Sequence, residues 1–432
     1  MRDGARVQAA IEVLTDSAEH HRPPALSLRD WAVRHRFAGS KDRSAIGDIV
    51  FMALRVRAMS EFALEAETPR AWALGALKFG FSYEIEKIQE LAVENEHSFG
   101  ALSLEEIEAL SKPVSDAPHF VLGNYPDWLD ESLERIFGEN RAVEMAAMAK
   151  PAPLDLRANV LKINRDDLIT ELSTSPKLTQ KPDATALSPW GVRIPWGNGK
   201  NFPWATEFSY LKGEFEVQDE ASQLVALLTG VKEGMLIADV CAGAGGKTLA
   251  LAMMANNNAK IIAYDKDQNR IAPIFERLTR AGVTCVDVRT QRRGHELEDI
   301  NGKCDIVLVD APCTGSGTWR RAPDTKWRIS PQNIETRQNN QQEALSIAAP
   351  LVKSGSLIAY ATCSVLPEEN DDTIGKFLEN NSEFTLKPID KHLEELGFSH
   401  LLEKCHKTKY GIQFTPYKSN TDGFYFAVIE KN

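Results

Sequence analysis

The chain has 432 residues, 43% hydrophobic and 26% charged, with a formal net charge of −11. That composition is ordinary for a soluble globular protein with two or three full cores. No apolar run approaches the roughly 20 residues that span a bilayer, and the N-terminal MRDGARVQAAIEVL lacks a signal-peptide core. The six cysteines have no C-x-x-C or other metal-ligand spacing. A cytoplasmic monomer with reduced thiols, no membrane partner and no metal is therefore expected. The acidic balance argues against nucleic acid as a partner unless basic residues gather locally.

Residues 1–115 read as a helical domain. VQAAIEVLTDSAEH is amphipathic, and SLRDWAVRHR and SKDRSAIGDIVFMALRVRAM follow, with Ser40 the expected N-cap of the latter. TPRAWALGALKFG, SYEIEKIQELA and SLEEIEALS continue the helical pattern. Arg29, Arg34, Arg36, Lys41, Arg43, Arg55 and Arg57 gather here, either as a solvated helix surface or as a face for RNA.

Residues 116–215 read as a small α+β subdomain. PDWLDESLERIFG and ENRAVEMAAMAK are helical, LDLRANVLKI is a strand and INRDDLITELS the helix after it. Ser173–Trp204, rich in Pro, Gly, Asn and Thr, is expected to be irregular.

From residue 216 to 432 strands and helices alternate. MLIADV, KIIAYD, VTCVDV, CDIVLVD and SLIAYATC read as strands separated by helical stretches, which predicts a doubly wound, mostly parallel α/β sheet. The C-terminal YGIQFTPYKSNTDGFYFAVIEKN reads as two strands forming an antiparallel pair at the sheet edge.

The first strand of this region runs into Cys241-Ala242-Gly243-Ala244-Gly245-Gly246-Lys247. The glycines allow a tight turn and close approach of a ligand, with a helix behind them. The phosphate-loop pattern fails because Cys241 stands where its first glycine belongs, and G-x-G-x-x-G fails at Thr248. The second strand ends at Asp265, placed to accept both hydroxyls of a ribose. A nucleoside cofactor without a pyrophosphate fits, and S-adenosylmethionine is such a molecule.

The chemistry should lie at two later strand ends. Cys313 closes Asp310-Ala311-Pro312-Cys313, and Cys363 lies in Ala361-Thr362-Cys363-Ser364. In an open α/β sheet the carboxyl ends of the strands line the ligand crevice. Two thiols delivered there beside a carboxylate suggest covalent chemistry on an electrophilic ring.

Four segments carry a resemblance: VQDEASQL (217–224), DVCAGAGGKT (239–248), DAPCTGSGTWRRAPDTKW (310–327) and YATCSVLPEEN (360–370). Together they resemble the RsmB/Sun-type family of RNA cytosine-C5 methyltransferases, and the N-terminal helices are similar to a NusB-like RNA-binding domain. The resemblance implies a class I Rossmann-like methyltransferase domain and S-adenosylmethionine as cofactor. It implies Cys363 as nucleophile, Cys313 as the residue that promotes release, Asp310 against the N3/N4 edge of cytosine, and Lys247 as an electrostatic aid. It also implies a cofactor pocket completed by backbone of 241–247, by Asp265 and by Asp310. The acidic residue that meets adenine in that family is replaced here by Gln291, which can still hydrogen-bond the base; Asp287 falls within the strand. Arg270 is expected to support the loop. DNA cytosine-C5 enzymes use a Pro-Cys thiol but lack the Thr-Cys partner, so RNA is the implied substrate. Ribosomal RNA is preferred for the NusB-like helices; transfer RNA, or a non-catalytic RNA-binding or ribosome-assembly factor, are the alternatives. Arg289, Arg292 and Arg293, then Trp319, Arg320, Arg321, Lys326, Trp327 and Arg328, interleave basic and aromatic residues suited to phosphates and unstacked bases.

Overall fold

The computed structural model describes residues 1–200, 202–291 and 296–432. Arg292 and Arg293 lie outside the described residues. Two compact units emerge: residues 1–150 with Trp319–Ile329, and residues 151–318 with 330–432. The sequence reading places a boundary at 115/116; in the structure the helices Asp130–Phe137 and Arg141–Ala149 group with the N-terminal helices instead.

In the first unit, α1 (Asp3–Glu19), α2 (Pro24–Arg34) and α3 (Ser40–Arg55) bury one stripe each. Val7, Ala10 and Leu14 on α1 meet Trp31, Ile46, Val50 and Leu54 in one core, at the spacing that puts residues on one helix face. The N-cap of α3 is Gly39, not Ser40: Gly39 N–H donates to Asp42 Oδ2 at 3.2 Å, and Asp42 also binds Arg6 and the N-terminal amine. That convergence of donors, chiefly the Arg6 hydrogen bond, holds the Asp42 carboxyl down to about 2.

The second unit holds two sheets. The smaller is antiparallel, in the order β2 (Asp183–Ala184), β3 (Gly191–Ile194), β1 (Leu154–Ala158), β4 (Phe215–Val217). The helix Arg165–Ser173, capped by Asn164, lays Leu168 and Leu172 on Leu156, Val192, Ile194 and Phe215. Ser173–Trp204 is thus less irregular than its composition suggests, because two short strands pair within it.

The larger sheet has nine strands among the described residues. Its parallel core is β5 (Leu236–Asp239), β6 (Lys260–Asp265), β7 (Val286–Thr290), β8 (Cys304–Asp310) and β9 (Val352–Thr362). β13 (Phe424–Lys431) runs antiparallel beside β9, followed by β12 (Ile412–Phe414) and β11 (His406–Lys407), while β10 (Phe384–Leu386) also pairs with β13. The C-terminal strand is therefore interior to the sheet, as its buried run Phe424–Ile429 requires.

Successive residues of β8 and β9 feed opposite cores. Ile306, Leu308, Ala359 and Ala361 face one cluster, and Val307, Val309, Ile358 and Tyr360 the other. Burial on both faces selects the unbroken apolar runs that marked these strands in the sequence. Each buried Ile, Leu or Val contributes about 1.5–3 kcal/mol, and the register they fix places Asp310 opposite Ala361. Cys313 and Cys363 follow that matched pair on adjacent parallel strands.

Candidate active site

β5 pairs with β6 on one side and β8 on the other, so the sheet order reverses between β5 and β8. Ligands of open α/β sheets bind at such a switch point, beyond the strand carboxyl ends. β5 delivers the glycine loop there, β6 delivers Asp265, β8 delivers Asp310 and Cys313, and β9 delivers Cys363.

The loop is shaped by glycines and held by arginines. Gly245 has φ +83° and precedes the helix Gly246–Met254; a Cβ on it would lie 2.4 Å from Ile274 Cγ1. Arg277 donates to Ala244 O at 2.7 Å and Arg157 to Gly246 O at 2.8 Å. Glu216 anchors Arg277 at 2.9 Å, and Arg157 is fully buried. These two arginines and Glu216 escaped the sequence reading, since nothing local to LDLRA or FERLTR marks them as partners of a loop distant in the chain.

Asp265 is 2% exposed and accepts Gly243 N–H at 3.0 Å on Oδ2 and Asp267 N–H at 2.9 Å on Oδ1. Each carboxylate oxygen takes about two hydrogen bonds, so both retain capacity for a ribose hydroxyl. Arg270 stands 3.9 Å from Asp265, beside the loop. Gln291 is the first residue after β7 and is exposed, while Asp287 lies in that strand and binds Arg289. Asp239, at the end of β5, is buried and bonded to Thr248 Oγ1 at 2.7 Å; burial pushes its carboxyl up to about 7. Burial and three neighbouring carboxylates push the Cys241 thiol upward too, so it stays protonated beside the loop.

The two sulfurs come together. Cys313 Sγ lies 3.3 Å from Cys363 Sγ, and both residues are partly exposed. The contact with Cys363, then burial, push the Cys313 thiol well above its ordinary range. Lys247 Nζ donates to Asp310 Oδ2 at 2.6 Å and sits 5.0 Å from the Phe424 ring centroid. The remaining cysteines stand apart from this pair: burial pushes the thiols of Cys304 and Cys405 up to about 12 and raises that of Cys285.

The residues expected to grip substrate divide. Arg321 and Arg328 are exposed. Trp319, Arg320 and Lys326 are 1%, 3% and 2% exposed, so they cannot form an open RNA-contacting face. Lys326 Nζ donates to Asn124 O at 2.5 Å and Arg55 O at 3.3 Å, Trp327 Nε1 to Leu54 O at 2.7 Å, and Arg55 to Arg320 O at 2.8 Å. Leu54 and Arg55 end α3, where carbonyls lack intrahelical partners. The basic-aromatic pattern thus satisfies a helix end.

A family model described as 16S rRNA methyltransferase RsmB/F matches residues 226–430, and one described as the RsmF/B-like ferredoxin-like domain matches residues 125–194. A probable ribosomal RNA small subunit methyltransferase B from Synechocystis is 30% identical over 332 residues, covering 75% of this chain and 71% of its own. The present chain belongs to the RsmB/F methyltransferase family. Ribosomal RNA small subunit methyltransferase B from Pasteurella multocida is 32% identical, covering 71% of this chain and 65% of its own length. Among solved structures, PH0851 superposes over 100% of this chain and 99% of its own with a TM-score of 0.71 at 23% identity. A methyltransferase homolog from Pyrococcus horikoshii superposes over 73% of this chain and 98% of its own with a TM-score of 0.57 at 26% identity. The chain is accordingly an RNA methyltransferase of the RsmB/F family with S-adenosylmethionine as methyl donor. The glycine loop and the free acceptor capacity of Asp265 fit that cofactor. No helix among the described residues is long and apolar enough to cross a membrane.

Proposed function

We propose that this protein methylates C5 of a cytosine in RNA, with ribosomal RNA as the substrate, through a covalent adduct on Cys363. The observation that carries this reading is the pair of sulfurs 3.3 Å apart, beside the Asp310–Lys247 pair at 2.6 Å. When bound, S-adenosylmethionine supplies an electrophilic methyl group.

Cytosine C5 is a weak nucleophile until a thiolate adds to C6. Cys363 forms the S–C6 bond, and the electron pair of the C5–C6 double bond becomes available at C5 to take the methyl group. Asp310 meets the N3/N4 edge of the base, and the Lys247 ammonium offsets negative charge that builds on the ring. Loss of the C5 proton to solvent water then returns the C5–H electron pair to the C5–C6 double bond as the S–C6 bond breaks, expelling Cys363 as thiolate. Cys313, in contact with Cys363, promotes this release, and its raised proton affinity suits a group that handles a proton. A stacked target must leave its stack for C6 to be reached, at a cost of about a few kcal/mol. The names of the curated relatives support ribosomal RNA.

The test uses labelled methyl donor with ribosomal and transfer RNA. Cys363→Ala should abolish transfer, and Cys313→Ala should accumulate a protein–RNA adduct that survives a denaturing gel. If Cys363→Ala traps the adduct and Cys313→Ala turns over, the two roles are reversed. Labelling of transfer RNA alone would reassign the substrate.

A further inference from the structure

One buried carboxylate joins the two cysteine loops, and neither the sequence motifs nor the chemistry above gives it a role. Glu369 is 0% exposed. It accepts Thr314 N–H at 2.7 Å and Thr314 Oγ1–H at 2.5 Å, Ser364 Oγ–H at 2.5 Å and Gln341 Nε2–H at 3.2 Å. Thr314 follows Cys313 and Ser364 follows Cys363, so the neighbour of each sulfur-bearing residue hangs on the same carboxylate. Gln341 also donates to Pro312 O, immediately before Cys313, at 3.1 Å.

The backbone that carries the carboxylate is itself fixed. Tyr360 Oη donates to Glu369 O at 2.7 Å, and the adjacent Asn370 accepts from Thr362 Oγ1 at 2.6 Å and donates to Ser364 O at 3.1 Å. Cross-links between the loops complete the cage: Gly317 N–H donates to Cys363 O at 2.9 Å, and Ser316 Oγ meets Ser364 Oγ at 2.9 Å.

We propose that Glu369 is a positioning residue for methyl transfer: by tying the residue after Cys313 to the residue after Cys363 it sets the separation of the two sulfurs. The inference rests on the two-thiol reading above. A carboxylate that accepts from three side-chain donors and one backbone N–H is an acceptor-only hub, a role no neutral side chain fills. Burying a carboxyl is costly without such partners, and burial does raise this one above its usual range while Ser364, Thr314 and Gln341 oppose the rise. The same charge adds to the upward push on the Cys313 thiol. Glu369 touches neither base nor methyl donor in this role, which separates it from Asp310.

Glu369→Gln keeps the volume and removes the charge. The full-length variant should lose at least tenfold in kcat with KM for S-adenosylmethionine and RNA within twofold. A second readout needs no substrate: diamide takes the two thiol hydrogens and becomes the hydrazine as the sulfurs join, and peptide mapping counts the Cys313–Cys363 disulfide. Its rate should fall at least fivefold in the variant. Unchanged kcat, or a loss of kcat that tracks thermal stability while the disulfide forms at the wild-type rate, overturns the proposal. Should Glu369→Gln fail to fold, Thr314→Val with Ser364→Ala removes two of the four donors, and wild-type kcat in that variant is equally fatal. If the wild type forms the disulfide rapidly and Glu369→Gln slows it, but no cytosine is methylated, the positioning stands and the assigned chemistry falls.

Discussion

Lys247 and Lys326 are both buried cations in motif segments, and the fold uses them in opposite ways. Lys247 pairs with a carboxylate, Asp310, which is itself 31% exposed at the side chain. Lys326 is lodged in the helical unit and donates to the carbonyls of Arg55 and Asn124. Burial, with Arg55 and Arg57 adding repulsion, pushes its pKa well below the usual range. A cation paired with a half-open carboxylate lies one side chain from solvent, which is what the proposed role of Lys247 requires. One enclosed by carbonyls serves the fold, relieving a helix end that would otherwise carry unsatisfied acceptors. Residue type and motif membership do not distinguish the two; the identity of the partner does.

The sharpest way to break this contrast is to truncate each lysine and compare activity with stability. Lys247→Ala should reduce kcat/KM by about 10²-fold or more, the scale of removing one preorganised charge from a reaction site. Its stability should fall by under about 2 kcal/mol, because Asp310 retains access to water. Steady-state kinetics and urea unfolding on the same preparation check both numbers. A variant that loses stability without losing rate would make Lys247 structural and erase the difference.

Lys326→Ala should do the reverse. Removing a long buried side chain leaves a cavity and strands two carbonyls, a combined cost of about 2–5 kcal/mol. Urea unfolding followed by the fluorescence of the helical unit should show it first, since Trp327 packs with Arg57 there at 4.9 Å. Where the protein remains folded, kcat should stay within a few-fold of wild type. A large loss of kcat with unchanged stability would place Lys326 in the chemistry.

These two residues also mark where sequence reading succeeds. The strand runs KIIAYD and CDIVLVD appear in the structure at the positions read, because burial on both faces of a parallel sheet leaves an unbroken apolar signature. The strand ends carry Asp265, Asp310, Cys313 and Cys363 to one crevice, so the thiol pair was legible from the apolar run before each cysteine. Contacts that depend on partners distant in the chain were not. Glu369 meets Thr314 and Gln341 across 55 and 28 residues, and Arg157 reaches Gly246 across 89. A basic-aromatic cluster such as TWRRAPDTKW has the composition of an RNA surface whether it faces water or a helix terminus. The 115/116 boundary failed for a related reason: helix patterns reveal where an element lies, and only packing reveals which core it joins.

The smallest expected effect tests what remains of that cluster. Arg321 and Arg328 are the members still exposed, and Arg328 pairs with Asp324 at 2.6 Å on the same short segment. If they touch phosphates, the double variant Arg321→Ala, Arg328→Ala should weaken RNA binding a few-fold at moderate salt. The slope of log K against log salt should become shallower by about 1.4, two contacts at roughly 0.7 each for single strands. Unfolding midpoints should not move, since surface substitutions of this kind cost under about 0.5 kcal/mol. Filter binding across a salt series separates the outcomes, because a lost phosphate contact changes the slope while a distorted loop changes only the intercept. An unchanged slope would mean that the whole of 319–328, exposed members included, serves the helical unit, and that the grip on RNA must come from other cations, with Arg29, Arg34 and Arg43 next in line.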